Sequence, residues 1–153
     1  MNSQVTITSA QRDVAIYPFK RDFISIVQDL LKYENVPPTR VHISFLTDSE
    51  TKRLHNQYFN DPSSTDCMTF PVDEPEFASL PDGCLGEIVI CPRTVIAESV
   101  FHKKSISYEL KLYLVHALLH LVGYEDTTPA KRKKMKLREK MHMIRLEKKG
   151  LVP

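Results

Sequence analysis

His116 and His120 stand four residues apart in a stretch that reads as helix, and at 100° per residue two such side chains lie about 40° apart on one face. That is the geometry by which two imidazoles grip one metal ion. The pair sits inside the apolar run Leu112 to Val122, where histidines buried without partners are costly and a shared ion satisfies both. A catalytic ion takes three protein ligands and keeps a position open, so a third donor is expected soon after the helix turns. Gly123 supplies the turn. Asp126, six residues after His120, is placed to bring a carboxylate back toward the pair, and Glu125 beside it is the neighbouring candidate. The plainer alternatives are core histidines bonded to carbonyls, and an Asp126 that merely caps the helix starting near Thr128. Ala117 occupies the place where the H-E-x-x-H of zinc peptidases carries its glutamate, which argues against proteolysis.

The elements that must position these residues follow from periodicity. Val5 to Thr8 alternates at period two, a short strand, and Phe19, Phe23, Ile26, Val27, Leu30 and Leu31 then share one helical face, ended by Pro37-Pro38. Val41, Ile43 and Phe45 alternate as a second strand running into Thr47-Asp48-Ser49-Glu50, a capping box that opens a helix through about Tyr58. After the polar loop NDPSSTD, Cys67 to Val72 reads as a third strand, and Glu87 to Cys91, stopped by Pro92, as a central fourth. From about Ser107 to Val122 the chain is apolar nearly all round, the mark of a buried helix. Thr128 as N-cap and Pro129 at the first helical position open a last helix. Strands early and helices late, with one βα crossover, predict an α+β or mixed α/β fold: a single small domain over residues 1–153 with a roughly four-stranded mixed sheet packed by helices.

Composition narrows the classes. With 26% charged and 42% hydrophobic residues, 153 residues form an ordinary globular chain with enough length for its own core. The longest apolar stretch is eleven residues and carries two histidines, short of the roughly 18 needed for a membrane span, and no secretory signal is evident. The expected location is the cytoplasm. Cys67, Cys84 and Cys91 show no Cys-x-x-Cys spacing and read as buried, reduced thiols. Net charge is only +2, but residues 131–153, a basic C-terminal helix, carry ten of the 21 Lys and Arg against two acids, so attraction for a polyanion must be local. Lys131, Arg132, Lys133 and Lys134 head that run, either as phosphate contacts or as a solvated face.

The run His116-Ala-Leu-Leu-His120-Leu-Val-Gly123-Tyr124-Glu-Asp126 resembles the H-x-x-x-H-L-x-G-Y-D-H signature of the YbeY endoribonuclease family. Leu54-His-Asn-Gln-Tyr58, Thr65-Asp66-Cys-Met-Thr-Phe70 and Leu85-Gly86-Glu87-Ile-Val-Ile-Cys91 are similar to its blocks L-N-x-x-Y-R, T-D-V-L-S-F and L-G-D-I-x-I, in order. The resemblance covers residues from about 40 to 140. It implies a metal-dependent, single-strand-specific endoribonuclease acting in ribosomal RNA maturation at the 3′ end of the small-subunit RNA, and in ribosome quality control. It also implies one zinc ion per chain held by His116, His120 and Asp126, polarising a phosphoryl oxygen and acidifying a bound water. The partners it implies are ribosomal RNA and the small ribosomal subunit, with a ribosomal protein or a GTPase. No side chain is assigned as general base and no RNA-binding residue is fixed; by analogy Ser64, Thr65 and Asp66 line the cleft, or else they cap its turn. Two positions depart from the pattern. Asp126 replaces the third histidine, which zinc tolerates. Phe59 replaces the arginine after the tyrosine and cannot pair with phosphate, though it can stack on a base, leaving Arg93 and the basic tail as substitute cations. Phe59 is the feature that favours an alternative, a non-catalytic ribosome-assembly factor with a structural metal.

Overall fold

A computed structural model describes residues 2–63, 65–73, 78 and 83–153. Alternation of apolar and polar side chains builds β1 (Gln4–Ala10) and β2 (Arg40–Leu46), the latter burying Val41, Ile43 and Phe45 on its inner face. With β3 (Cys67–Pro71) and β4 (Gly86–Ile90) they make one four-stranded sheet in the order β1-β2-β4-β3. β1 and β4 run parallel to β2, and β3 is an antiparallel edge, so the sheet is mixed as the pattern predicts. Val72 lies just beyond β3, and Cys91 leaves the sheet to become the N-cap of a helix, so both expected strands end one residue earlier than the pattern predicts.

The crossover from β1 to β2 is α1 (Lys20–Tyr33), whose Phe23, Ile26, Val27, Leu30 and Leu31 are all buried. Phe23 stacks on Phe45 of β2 with ring centroids 5.5 Å apart, and burying an aromatic of this kind contributes roughly 1.5–3 kcal/mol. The helix ends before Pro37: Asn35 turns left-handed at φ 60°, and the Val36 N–H bonds back to the Leu31 carbonyl. Thr47 caps α2 (Asp48–Phe59) by accepting from the Glu50 N–H, but only half of the capping box closes, because the Glu50 carboxylate turns to Arg53.

α3 (Pro92–His102) begins where the sequence shows only a strand stop, since Pro92 sits at the first helical position, where its missing N–H costs nothing. α4 (Ile106–Leu121), capped by Ser105, is the central helix and packs on α1, α3, β3, β4 and α5 (Pro129–Lys148). Its Leu110, Leu114, Val115, Leu118 and Leu119 are fully buried. Gly86 lets the sheet meet this helix: a Cβ there would come within 2.6 Å of Leu121 and 2.8 Å of the Phe70 carbonyl. α5 starts as expected, with Thr128 accepting from the Lys131 N–H and Pro129 following. Among the described residues no helix is long and apolar enough to cross a membrane.

Candidate metal centre

The last two turns of α4 carry His116 and His120, and the turn that follows returns the chain toward them. Gly123 adopts φ +111°, a conformation that strains any residue with a Cβ, while its amide and that of Tyr124 bond to the His120 and Leu119 carbonyls. The loop delivers Asp126, whose Oδ2 lies 3.4 Å from His120 Nε2 and 4.0 Å from His116 Nε2. The three candidate donor atoms fall within 4.8 Å of one another. Tetrahedral ligation at about 2.0–2.2 Å places donors roughly 3.4 Å apart, so one pair already has the spacing and the third donor needs to close by about an ångström. Glu125, the competing candidate, points elsewhere: it is exposed and pairs with Lys131 at 2.5 Å.

The far sides of both rings are tied down. His116 Nδ1 lies 2.9 Å from Glu139 Oε2 on α5, and His120 Nδ1 lies 3.1 Å from the Tyr124 carbonyl. A carbonyl only accepts, so His120 Nδ1 carries the proton and Nε2 keeps its lone pair. Glu139 imposes the same order on His116. Both free nitrogens therefore face Asp126, which is how an outer carboxylate and a carbonyl orient ligating imidazoles. This donor set, two imidazoles and one carboxylate with their outer bonds in place, fits a divalent ion of the zinc type.

The electrostatics agree. Burial works against a charged His116, but Glu139, Asp126 and Asp66 together outweigh it and raise the group above the usual imidazole range. The site is thus a negative hollow that attracts a cation. Cys67, alongside, is pushed well up, first by burial and then by Asp66, Glu139 and Asp126, so it stays a neutral thiol. Burial and the Asp66 carboxylate likewise keep the Tyr113 phenol protonated.

One expectation needs correction. The histidine side chains are not buried: they are 30% and 25% exposed, and each has a protein hydrogen-bond partner. The apolar run makes α4 look buried all round, yet its carboxyl-terminal turns open toward the loop at 123–128, so no ion is required to satisfy these nitrogens. Of the cysteines only Cys91 is fully buried; all three are free. Thr65 donates to the Cys67 carbonyl and Asp66 accepts from the Cys67 amide, which are turn roles, though the Asp66 charge reaches His116. Ser64 lies outside the described residues. Phe59 is half exposed, its ring 5.3 Å from His55 and 6.3 Å from Phe70. Arg93 lines a separate cavity of about 710 Å³ with Arg12 and Asp48, none of whose walls is a candidate ligand. In the basic tail, Lys131 is held by Glu125, Arg132 bonds the Asp126 carbonyl, and Lys134 lies 6.0 Å over the Tyr124 ring. Glu139 escaped sequence reasoning; the available signal was an acid standing alone in a run of bases.

A small mixed sheet backed by helices, with an imidazole pair and a carboxylate converging at the end of the central helix, defines a compact domain with a candidate three-donor metal centre. The family model described as Endoribonuclease YbeY matches residues 4–147. The chain is 35% identical over 149 residues to the endoribonuclease YbeY of Chlamydia felis, covering 95% of this chain and 92% of that one. It is 40% identical over 124 residues to that of Protochlamydia amoebophila, covering 81% of each. The chain therefore belongs to the endoribonuclease YbeY family, a family of RNA-cleaving hydrolases. The solution structure of TM1509 from Thermotoga maritima shares the fold, with a TM-score of 0.61 at 23% identity over 91% of this chain and 86% of that one.

Proposed function

We propose that this protein is a zinc-dependent endoribonuclease specific for single-stranded RNA, acting in the cytoplasm on ribosomal RNA at the 3′ end of the small-subunit RNA and in ribosome quality control. The observation that carries this reading is the convergence of His116 Nε2, His120 Nε2 and Asp126 Oδ2, with both Nδ1 atoms engaged elsewhere. When bound, one ion per chain supplies a Lewis acid for a phosphoryl oxygen and lowers the pKa of water. The chain's own residues do the rest. Glu139 and the Tyr124 carbonyl fix the tautomers and ring planes, and the Gly123 turn aims Asp126. Its partners are ribosomal RNA and the small subunit, with a ribosomal protein or a GTPase delivering it there.

Incubating metal-loaded protein with a single-stranded RNA and with its duplex, beside a His116→Ala preparation, tests the reading. Cleavage of the single strand by the parent alone is expected. One observation favours a second reading, a non-catalytic assembly factor: Phe59 packs against His55 and Phe70 where the family pattern carries an arginine. Full metal loading without cleavage, together with retained RNA binding, would support it.

A further inference from the structure

Tyr108, Leu112, His116 and His120 follow one another at intervals of four on α4, a single stripe that drifts only about 40° per step. Its first half forms one wall of a groove of about 700 Å³ between α4 and α5. The groove's floor is aliphatic: Leu112, Leu137, Met143 and Ile144 line it, with Leu137 61% and Ile144 44% exposed. Its rim is net cationic, three lysines against Glu139 and Glu147. Lys133, Lys136 and Lys140 are all exposed on α5, spread over about 10 Å of helix, and none has a carboxylate partner among the described residues. Glu139, which also lines the groove, is the residue bonded to His116, so the groove adjoins the candidate metal centre.

We infer that this α4–α5 groove is the track that holds the single-stranded RNA leading to the metal centre, its lysines on the phosphates and its aliphatic floor under the bases. The inference rests on the nuclease reading above. Charge complementarity selects a polyanion for the rim: these three lysines have no carboxylate partner among the described residues, whereas Arg138 is engaged by Glu34, Arg145 and the C-cap Lys149 by Asp29, and Lys131 by Glu125. The floor selects the form of that polyanion. A duplex keeps its bases stacked inside and offers only backbone, whereas an unpaired strand can lay apolar base faces on the floor while its phosphates meet the rim. At the far end Lys104 lies 4.9 Å over the Tyr108 ring, adding a cation and an aromatic to the same path. The groove therefore assigns RNA contact to Lys133, Lys136 and Lys140 rather than to the whole basic run.

The test measures binding of a fluorescently labelled 12-nucleotide single-stranded RNA, about the length such sites cover, to the full chain by anisotropy, with chelator present so that cleavage does not intervene. The triple variant Lys133→Glu, Lys136→Glu, Lys140→Glu should bind about tenfold or more weakly, with a flatter dependence of log K on log salt. A control of equal charge change placed elsewhere, Arg12→Glu, Lys20→Glu, Arg21→Glu, should stay within about threefold of the parent, since long-range effects are screened. Leu137→Asn should narrow the preference for single strand over duplex. The glutamine triple at the same lysines, which reverses no charge, guards against misfolding and should show a smaller loss in the same direction. Affinity and salt slope equal to those of the control would overturn the inference and leave the groove to a protein partner. Groove-dependent binding without any cleavage by metal-loaded protein would sink the nuclease reading alone; cleavage with groove-independent binding would sink the groove alone.

Discussion

Two imidazole–carboxylate pairs flank α5, and they differ in what the second ring nitrogen meets. His116 bonds Glu139 at 2.9 Å through Nδ1 and turns Nε2 toward Asp126 and His120. His142 bonds Glu34 at 2.7 Å through Nε2, and its Nδ1 lies 3.1 Å from the Arg145 guanidinium. An arginine only donates, so His142 Nδ1 must accept, and the ring is held neutral with both nitrogens satisfied. The directions of titration follow. Burial first, then Arg145 and Arg138, push His142 below the usual imidazole range despite Glu34, whereas three carboxylates raise His116. His142 is wholly buried, its ring edge-on to Tyr33, while His116 is open to solvent. The same two residue types thus make a closed structural seam between α1 and α5 in one place and a ligand-ready donor in the other. The chemistry lies in the unfilled nitrogen.

The largest effect should come from removing that donor. His116→Ala, His120→Ala and Asp126→Ala should each lose most of the bound zinc by elemental analysis and abolish RNA cleavage, because a three-donor site with one donor gone is a poor site. His142→Ala should leave zinc content at the parent level. Unchanged zinc in Asp126→Ala would remove that residue from the centre and reopen the place for Glu125.

Next come the carboxylates, where the two pairs should fail in different ways. Glu139→Gln keeps the ring's orientation imperfectly and should weaken zinc affinity about 10- to 100-fold, with little change in melting temperature. Glu34→Gln should do the reverse. Its carboxylate is 8% exposed and holds both Arg138 and His142, so its loss should cost about 2–3 kcal/mol of stability, at the lower end for buried pairs because Arg138 is partly solvated. Chemical denaturation and zinc titration of both variants would show the crossing. If Glu139→Gln destabilised as much as Glu34→Gln, the metal-centre pair would be a structural seam as well.

A smaller effect separates the pairs by pH. A histidine whose folded pKa is depressed binds fewer protons folded than unfolded, so stability falls as pH drops through the ordinary imidazole range. Glu34, lowered by Arg138 and His142 against the opposing effect of burial, contributes stability that is present above the ordinary carboxylate range and lost as pH falls through its folded value. Because the raised His116 gains stability as pH falls through the ordinary imidazole range, the decline of melting temperature with acid should show its two stages most clearly in a His116→Gln background. His142→Gln, which keeps a donor for Glu34 and an acceptor for Arg145, should erase the first stage and retain the second. A first stage that survives in His142→Gln would assign it to some other group.

Neither pair was legible to the same degree in the sequence. The His-x-x-x-His spacing and the capped helix starts could be read because they depend on residues within one turn or one loop. The choice between Asp126 and Glu125 depends on how the left-handed Gly123 swings the chain, which spacing does not encode. Glu139 lies 23 positions from His116, and Glu34 108 from His142, so both partnerships are properties of helix packing. The strands at the sheet centre were legible because one-sided burial imposes period two. α3 was not, because its apolar residues make no stripe: Val95 is buried, while Val100 and Phe101 are exposed. The basic tail reads as one block, yet the fold divides it: Arg138, Arg145 and Lys149 close the seam on Asp29 and Glu34, while Lys133, Lys136 and Lys140 have no carboxylate partner among the described residues.

The smallest expected effect is the coupling between the two pairs. Glu139 and His142 are three residues apart on α5, close enough to lie side by side, so loosening the seam offers a route to misplacing Glu139. Against that stands the anchoring of the helix itself: Met135, Met143 and Leu146 are buried in the core and hold α5 on its neighbours whether or not Glu34 is charged. The double variant Glu34→Gln, Glu139→Gln should therefore lose stability as the sum of its parts, with an interaction energy below about 0.5 kcal/mol. The zinc affinity of Glu34→Gln alone should stay within about twofold of the parent, since a residue that acts only on stability leaves the folded donor set in place. An interaction energy well above that bound, or a zinc affinity that falls in Glu34→Gln although Glu139 is unchanged, would mean that α5 passes strain from one carboxylate to the other, and that the ligand-ready histidine owes its position to the closed one.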